Sequence, residues 1–190
     1  KSQLYTNRNG SIKTVDTMKS ASSNGRSEDD AIWPMHFANM GSTNDVQVNL
    51  KAFSPLDNVD YDNMSMPYAF YEMTLENLGD TSVDASCAFQ LTTNDIPALV
   101  DGKGFNGKKW AISGNSEQNG AIVSVGNNSD FNTTGVLDNS ISGKTNKVAV
   151  KVNLDAKQST VIRFVLAWYD DSEPDWHYYC LLYTSDAADE

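Results

Sequence analysis

The sequence predicts an all-β protein, an antiparallel β-sandwich, and three observations predict it. Apolar and polar residues alternate over short runs, with the period of two that places successive side chains on opposite faces of a strand. These runs are separated by clusters of Gly, Asn, Asp and Ser, the residues that turn a chain. No stretch repeats apolar residues at the spacing of a long amphipathic helix.

Val46, Val48, Leu50 and Ala52 alternate with Gln47, Asn49 and Lys51, which predicts a half-buried strand with the first set on the core face. Residues 67–77 (PYAFYEMTLEN) are rich in aromatic and β-branched side chains and predict a second strand. Leu78-Gly79-Asp80 then supplies a turn, and residues 82–91 return as the other arm of a hairpin. On that arm Val83, Ala85, Cys87 and Phe89 share one face, opposite Asp84, Ser86, Ala88 and Gln90, so Cys87 is expected to point inward. Further strands are predicted at 109–113, 121–125, 147–154 and 160–169. In the third of these, Val148, Val150, Val152 and Leu154 alternate with Ala149, Lys151 and Asn153. The last contains VIRFVLAWY (161–169), apolar on both faces except at Arg163, so it is expected either at the centre of a sheet or under a cover on its outer side. Arg163 is expected to pair with an acid, because an unpaired buried charge is very costly. Residues 20–30 and 126–143 are polar and rich in turn formers, and both read as solvated loops.

Composition narrows the function. The formal net charge of −11 at pH 7 argues against a nucleic-acid backbone or an anionic membrane surface as partner, since both call for a basic patch. No apolar run reaches the ~18–20 residues of a membrane-spanning helix. Abundant Asn, Ser, Thr and Asp with little Lys resemble an exported bacterial polypeptide more than a cytoplasmic one. The two cysteines, Cys87 and Cys180, suggest neither a disulfide framework nor a thiolate metal site, and Cys87 reads as a small buried hydrophobe. His36 and His177 read as structural histidines, too few and too far apart for a metal centre.

Asp57, Asp60 and Asp62 could offer oxygen ligands to calcium, but their spacing is not that of an EF-hand loop, and a solvated turn is the expectation. Asp170, Asp171, Glu173 and Asp175 likewise read as a solvated chain exit rather than a catalytic pair. Trp168, Tyr169, Trp176, Tyr178 and Tyr179 gather aromatic surface near the carboxyl end, suited to sugar stacking or to packing. Because Trp168 sits in an apolar strand, packing is favoured for it. Phe164, Leu166, Trp168 and Tyr169 are the candidate interdomain contacts. No catalytic, cofactor-binding or metal-binding residue is assigned.

Residues 180–190 (CLLYTSDAADE) resemble the translated read-through of a sequencing adapter and are set aside as non-native. Without Asp186, Asp189 and Glu190 the formal net charge falls from −11 to −8, still acidic. With Lys1 in place of an initiator Met, the expectation is a single sandwich domain over residues 1–179, truncated at both ends.

Residues 46–94 carry an ordered set of features: Ser54-Pro55, an acidic loop at 57–62, Ser65-Met66-Pro67, a strand ending at Asn77, Gly79-Asp80, and a returning strand. Residues 160–169 (TVIRFVLAWY) supply an F-x-L-x-W strand. Together these blocks resemble the N-terminal domain of glycoside hydrolase family 116, the bile acid β-glucosidase or non-lysosomal glucosylceramidase type. The chain departs from the pattern after Tyr169, where Asp170-Asp171-Ser172-Glu173 replaces aromatic and proline residues. The resemblance implies a sandwich packed against an α/α-barrel that hydrolyses a β-glucoside or glycolipid with retention, using two carboxyl groups about 5 Å apart. No residue here matches the motifs carrying those groups, so the chain alone is expected to turn over no aryl β-glucoside. Two alternatives stand beside this reading: a carbohydrate-binding or adhesion module of a secreted bacterial protein, and the sandwich domain of another barrel glycosidase or phosphorylase.

Overall fold

The computed structural model describes residues 1–17, 29–32, 34–54 and 67–168. These residues form thirteen strands and one short helix. In chain order they are β1 (Ser2–Arg8), β2 (Ser11–Asp16), β3 (Asp29–Ile32), β4 (Met35–Thr43), β5 (Val46–Phe53), β6 (Tyr68–Asn77) and β7 (Val83–Thr92). There follow β8 (Ala98–Val100), β9 (Gly104–Asn106), β10 (Trp110–Ser116), β11 (Ile122–Gly126), α1 (Phe131–Thr134), β12 (Thr145–Leu154) and β13 (Ser159–Trp168).

Two antiparallel sheets pack face to face, as the alternation predicts. The smaller has the order β11-β12-β7-β1-β2, and the larger β3-β4-β5-β6-β13-β10-β9-β8. Between them lie the inward residues of both: Val46, Val48 and Leu50 on β5, Met73 and Leu75 on β6, Val83, Ala85, Cys87 and Phe89 on β7, and Val148, Val150, Val152 and Leu154 on β12. Cys87 is buried there, and burial pushes its thiol up to about 12, so it is a packing residue and not a nucleophile. β13 lies centrally, between β6 and β10.

The loop after β11 departs from expectation. Its polar composition predicts solvation, yet Phe131 and Leu137 are buried with Tyr5, Ala88 and Ala149 in a second cluster on the outer face of the smaller sheet. Tyr5 donates its hydroxyl to the Thr133 carbonyl at 3.1 Å, and the Leu137 N–H donates to Ser124 Oγ at 3.0 Å. Gly135 makes this cover possible, because its φ of 71° ends α1 and a Cβ there would stand 2.5 Å from the Tyr5 ring. Phe131 and Leu137 fasten the loop on this face, and Ile141 packs against the inter-sheet core. The stretch expected to be loop at 20–30 also ends differently, since Asp29 and Asp30 already belong to β3.

One end of the sandwich is closed by its turns; the one after β6 is not the expected hairpin but a crossover, because β6 belongs to the larger sheet and β7 to the smaller. Asn9-Gly10, with φ of 50° and 84°, turns β1 into β2, and Asn44-Asp45, at 50° and 57°, turns β4 into β5. Arg8 donates to the Asn44 carbonyl (3.0 Å), to the Thr81 carbonyl (2.5 Å) and to Asn77 Oδ1 (2.5 Å). Asn77, fully buried, donates in turn to the Thr81 and Asp155 carbonyls at 2.9 and 2.8 Å. Four turns thus meet around one amide.

On the outer face of the smaller sheet, Asp84 pairs with Lys151 at 2.9 Å and accepts from Asn153 at 2.8 Å. Burial pushes its carboxyl up, but the hydrogen bonds from Asn153 and Lys151 and the lysine charge outweigh this and leave it below its ordinary value. A carboxyl depressed on folding contributes stability above its unfolded value, and loses that contribution as pH falls through the folded one. Asp84→Asn is therefore expected to be less stable than the parent at pH 7, with the gap closing in acid; urea melts of both proteins across that range check it. A gap that persists unchanged in acid would rule out ionisation as its source.

Candidate interaction surface

β13 sets the geometry of the end opposite the turns. Along its inward side Ile162 and Phe164 are 0% exposed, Leu166 is half-buried and Trp168 is 42% exposed. Burial runs out along the strand. The Phe164 ring lies against Phe89, with centroids 5.8 Å apart, and crosses over its strand partner Gly114. It is a member of the inter-sheet core and has no surface left for a neighbour. Leu166 packs against the edge of that core, and only Trp168 extends past it. The structure therefore divides the sequence-derived set: Phe164 is internal, Leu166 intermediate, Trp168 available, and Tyr169 lies outside the described residues.

Trp168 pairs across the strands with Trp110. Trp110 packs edge-on to Phe105, centroids 5.8 Å apart, and hydrogen-bonds to the Asp95 side chain. The Asp95 carboxyl is held below its usual range, first by the Lys108 backbone N–H and further by this contact with Trp110. Leu99, 42% exposed, faces Phe105 on the neighbouring strand. The result is an apolar rim.

The outward side of the larger sheet is different in kind. Cross-strand pairing aligns Met35 with Phe53, Phe53 with Phe70, and Phe70 with Val165, an apolar row across four strands. Phe53 and Phe70 stack at 5.2 Å, and Tyr68 meets Phe70 edge-on at 5.3 Å. The next row is charged. Lys51 lies 3.8 Å from Glu72, Arg163 Nε donates to Glu72 Oε1 at 2.8 Å, and Arg163 Nη1 donates to Glu117 Oε1 at 2.6 Å. Arg163 thus has its acidic partners as expected, on a half-exposed face rather than in the core. Neither buried cluster includes any of these outward residues, so no described segment builds a core over them.

His36 is half-buried on β4, beside Ala52 of β5. Among the described residues no group of three His, Cys, Asp or Glu could hold a metal ion, and no helix is long and apolar enough to cross a membrane. Asp57, Asp60, Asp62, Asp170, Asp171, Glu173, Asp175, Trp176, His177, Tyr178, Tyr179 and residues 180–190 lie outside the described residues. The sequence reading missed the two outward rows, because their members come from separate strands and meet only through the register. Their one local signal was the apolar odd-numbered positions of β13.

No protein-family model matches the chain, and no curated protein matches it. Among solved structures the chain is similar to one described as "Putative kojibiose phosphorylase from human microbiome", at 11% identity and a TM-score of 0.43. The match covers 98% of this chain and 25% of that one, so the chain spans about a quarter of that structure's length.

Proposed function

We propose that this chain is a non-catalytic β-sandwich domain of a carbohydrate-active enzyme of the family 116 kind, supporting a catalytic α/α-barrel that acts on a β-glucoside or glycolipid. The observation that carries this reading is Trp168, an inward-facing tryptophan at the end of a core strand that is 42% exposed. A large apolar side chain left uncovered at a strand exit suits a neighbouring domain. The sequence blocks that resemble the family supply β5, β6, β7 and β13, which form the centre of the sandwich and lead to this rim.

The test compares Trp168→Ser in two contexts. In the 190-residue chain the substitution is expected to cost less than about 1 kcal/mol and to reduce binding of a hydrophobic dye. In the longer protein that includes the barrel it is expected to cost about 3 kcal/mol, as for a buried aromatic. Equal small costs in both contexts, with a dye-silent parent, would refute the reading and favour a self-contained binding module.

A further inference from the structure

We propose that Asn119 is a self-modification site, where the chain closes a cyclic imide on its own backbone and water opens it to aspartate and isoaspartate. The reaction joins the backbone nitrogen of the following residue to the asparagine Cγ. As that bond forms, the bond from Cγ to the side-chain nitrogen breaks, and ammonia leaves with the proton of the backbone N–H. Water then adds to either imide carbonyl, and nothing is oxidised or reduced. Two conditions favour the step: a following residue with no Cβ to obstruct the approach, and an N–H free to give up its proton.

Asn-Gly occurs four times, at 9–10, 24–25, 106–107 and 119–120, and the second lies outside the described residues. The other three meet the first condition equally, so the fold decides between them. The Gly10 N–H donates to Asn7 Oδ1 at 3.0 Å, and the Gly107 N–H donates to the Trp110 carbonyl at 2.9 Å. Gly107 is also hemmed in, since an added Cβ would collide with the Trp110 indole. Gly120 differs on both counts. No hydrogen bond among the described residues holds its N–H, and nothing stands within 4 Å of where its Cβ would be. Both Asn119 and Gly120 are exposed. The Ala121 N–H donates to the Gln118 carbonyl at 3.2 Å, and Gly120 alone of the two corner residues has positive φ, at 79°, which makes this a type II turn. The turn is thus closed by its outer residues, while the central peptide, the one that reacts, is left unengaged. It joins β10 of the larger sheet to β11 of the smaller. Isoaspartate there lengthens the crossover by one backbone carbon and adds a carboxylate to an already acidic chain.

The test incubates the 190-residue chain in mildly alkaline buffer, folded and in parallel in concentrated urea, and reads each site by peptide mapping with tandem mass spectrometry. In the folded chain Asn119 is expected to convert at least about fivefold faster than Asn9 and Asn106, the ratio that one net hydrogen bond to the reacting nitrogen represents. In urea the three rates are expected to draw together, because glycine follows each asparagine and the bonds that protect two of them are gone. Asp101-Gly102 forms the same imide by losing water and regaining it, so its product has no change in mass and is counted apart. An Asn119 that stays intact, or an Asn9 or Asn106 that keeps pace with it in the folded chain, would overturn the proposal. So would a lead of Asn119 that persists undiminished in urea, since the fold would then not be its cause.

Discussion

Phe164→Ala is expected to destabilise the chain by about 3–5 kcal/mol, a large share of the ~5–15 kcal/mol that holds a domain folded. The ring has no exposed surface and sits between the sheets, with Phe89 beside it and Phe89 in turn 5.0 Å from Tyr71. Its partner across the strand is Gly114, where an added Cβ would come 3.1 Å from the Phe164 ring and 2.9 Å from Val150. Both sheets therefore close on this ring, and a packed interior relaxes only partly around the space it leaves. Urea melts measure the loss. A cost below about 1 kcal/mol would mean that the inter-sheet core does not depend on β13.

Asn77→Ala is expected to cost about 2–4 kcal/mol, although it deletes only a small amide, because several groups lose their partner together. The side chain accepts from Arg8 and from the Gly79 N–H, and donates to the carbonyls of Thr81, Leu154 and Asp155. Alanine leaves these groups at the closed end of the sandwich without that partner. Asn77→Asp keeps the acceptor and faces Arg8, so it should retain more stability than alanine while losing the donor bonds. The order parent, Asp, Ala in a denaturant series supports the hub; Ala equal to the parent would show that water replaces the amide at no cost.

The strands that were legible in the sequence are those whose inward face is uniformly apolar. β5, β12 and the inward half of β7 alternate cleanly, and the buried position of Cys87 followed from that alternation alone. β1 was not legible. Its inward side carries Ser2 and Thr6 with Leu4, its outward side carries Tyr5, and all four are buried, so hydropathy does not alternate. Ser2 is tolerated there because its hydroxyl meets that of Thr17 at 2.5 Å, a pairing that only the fold creates. β4 is obscured by a register shift between Asn39 and Ser42, near Gly41 with φ of 89°. β8 and β9, three residues each, are too short to display a period. For the site, β13 announced itself by being apolar on both faces. Which side went inward, and which acids reached Arg163, depended on β6 and β10, separated from it by tens of residues.

The central place of β13 also governs when the fold can form. The larger sheet is laid down as two parts, β3 to β6 and β8 to β10, and β13 joins them by pairing with β6 on one side and β10 on the other. During synthesis from the amino end, neither part has its bridging neighbour until residues 159–168 emerge. β1 waits in the same way for β7, whose Cys87 pairs with Leu4. Such non-local pairing gives a high contact order and folding in milliseconds to seconds rather than microseconds. Nascent chains ending before Ser159 would present the edges of β6 and β10 to solvent, so the protein passes through an interval when chaperones have most to hold.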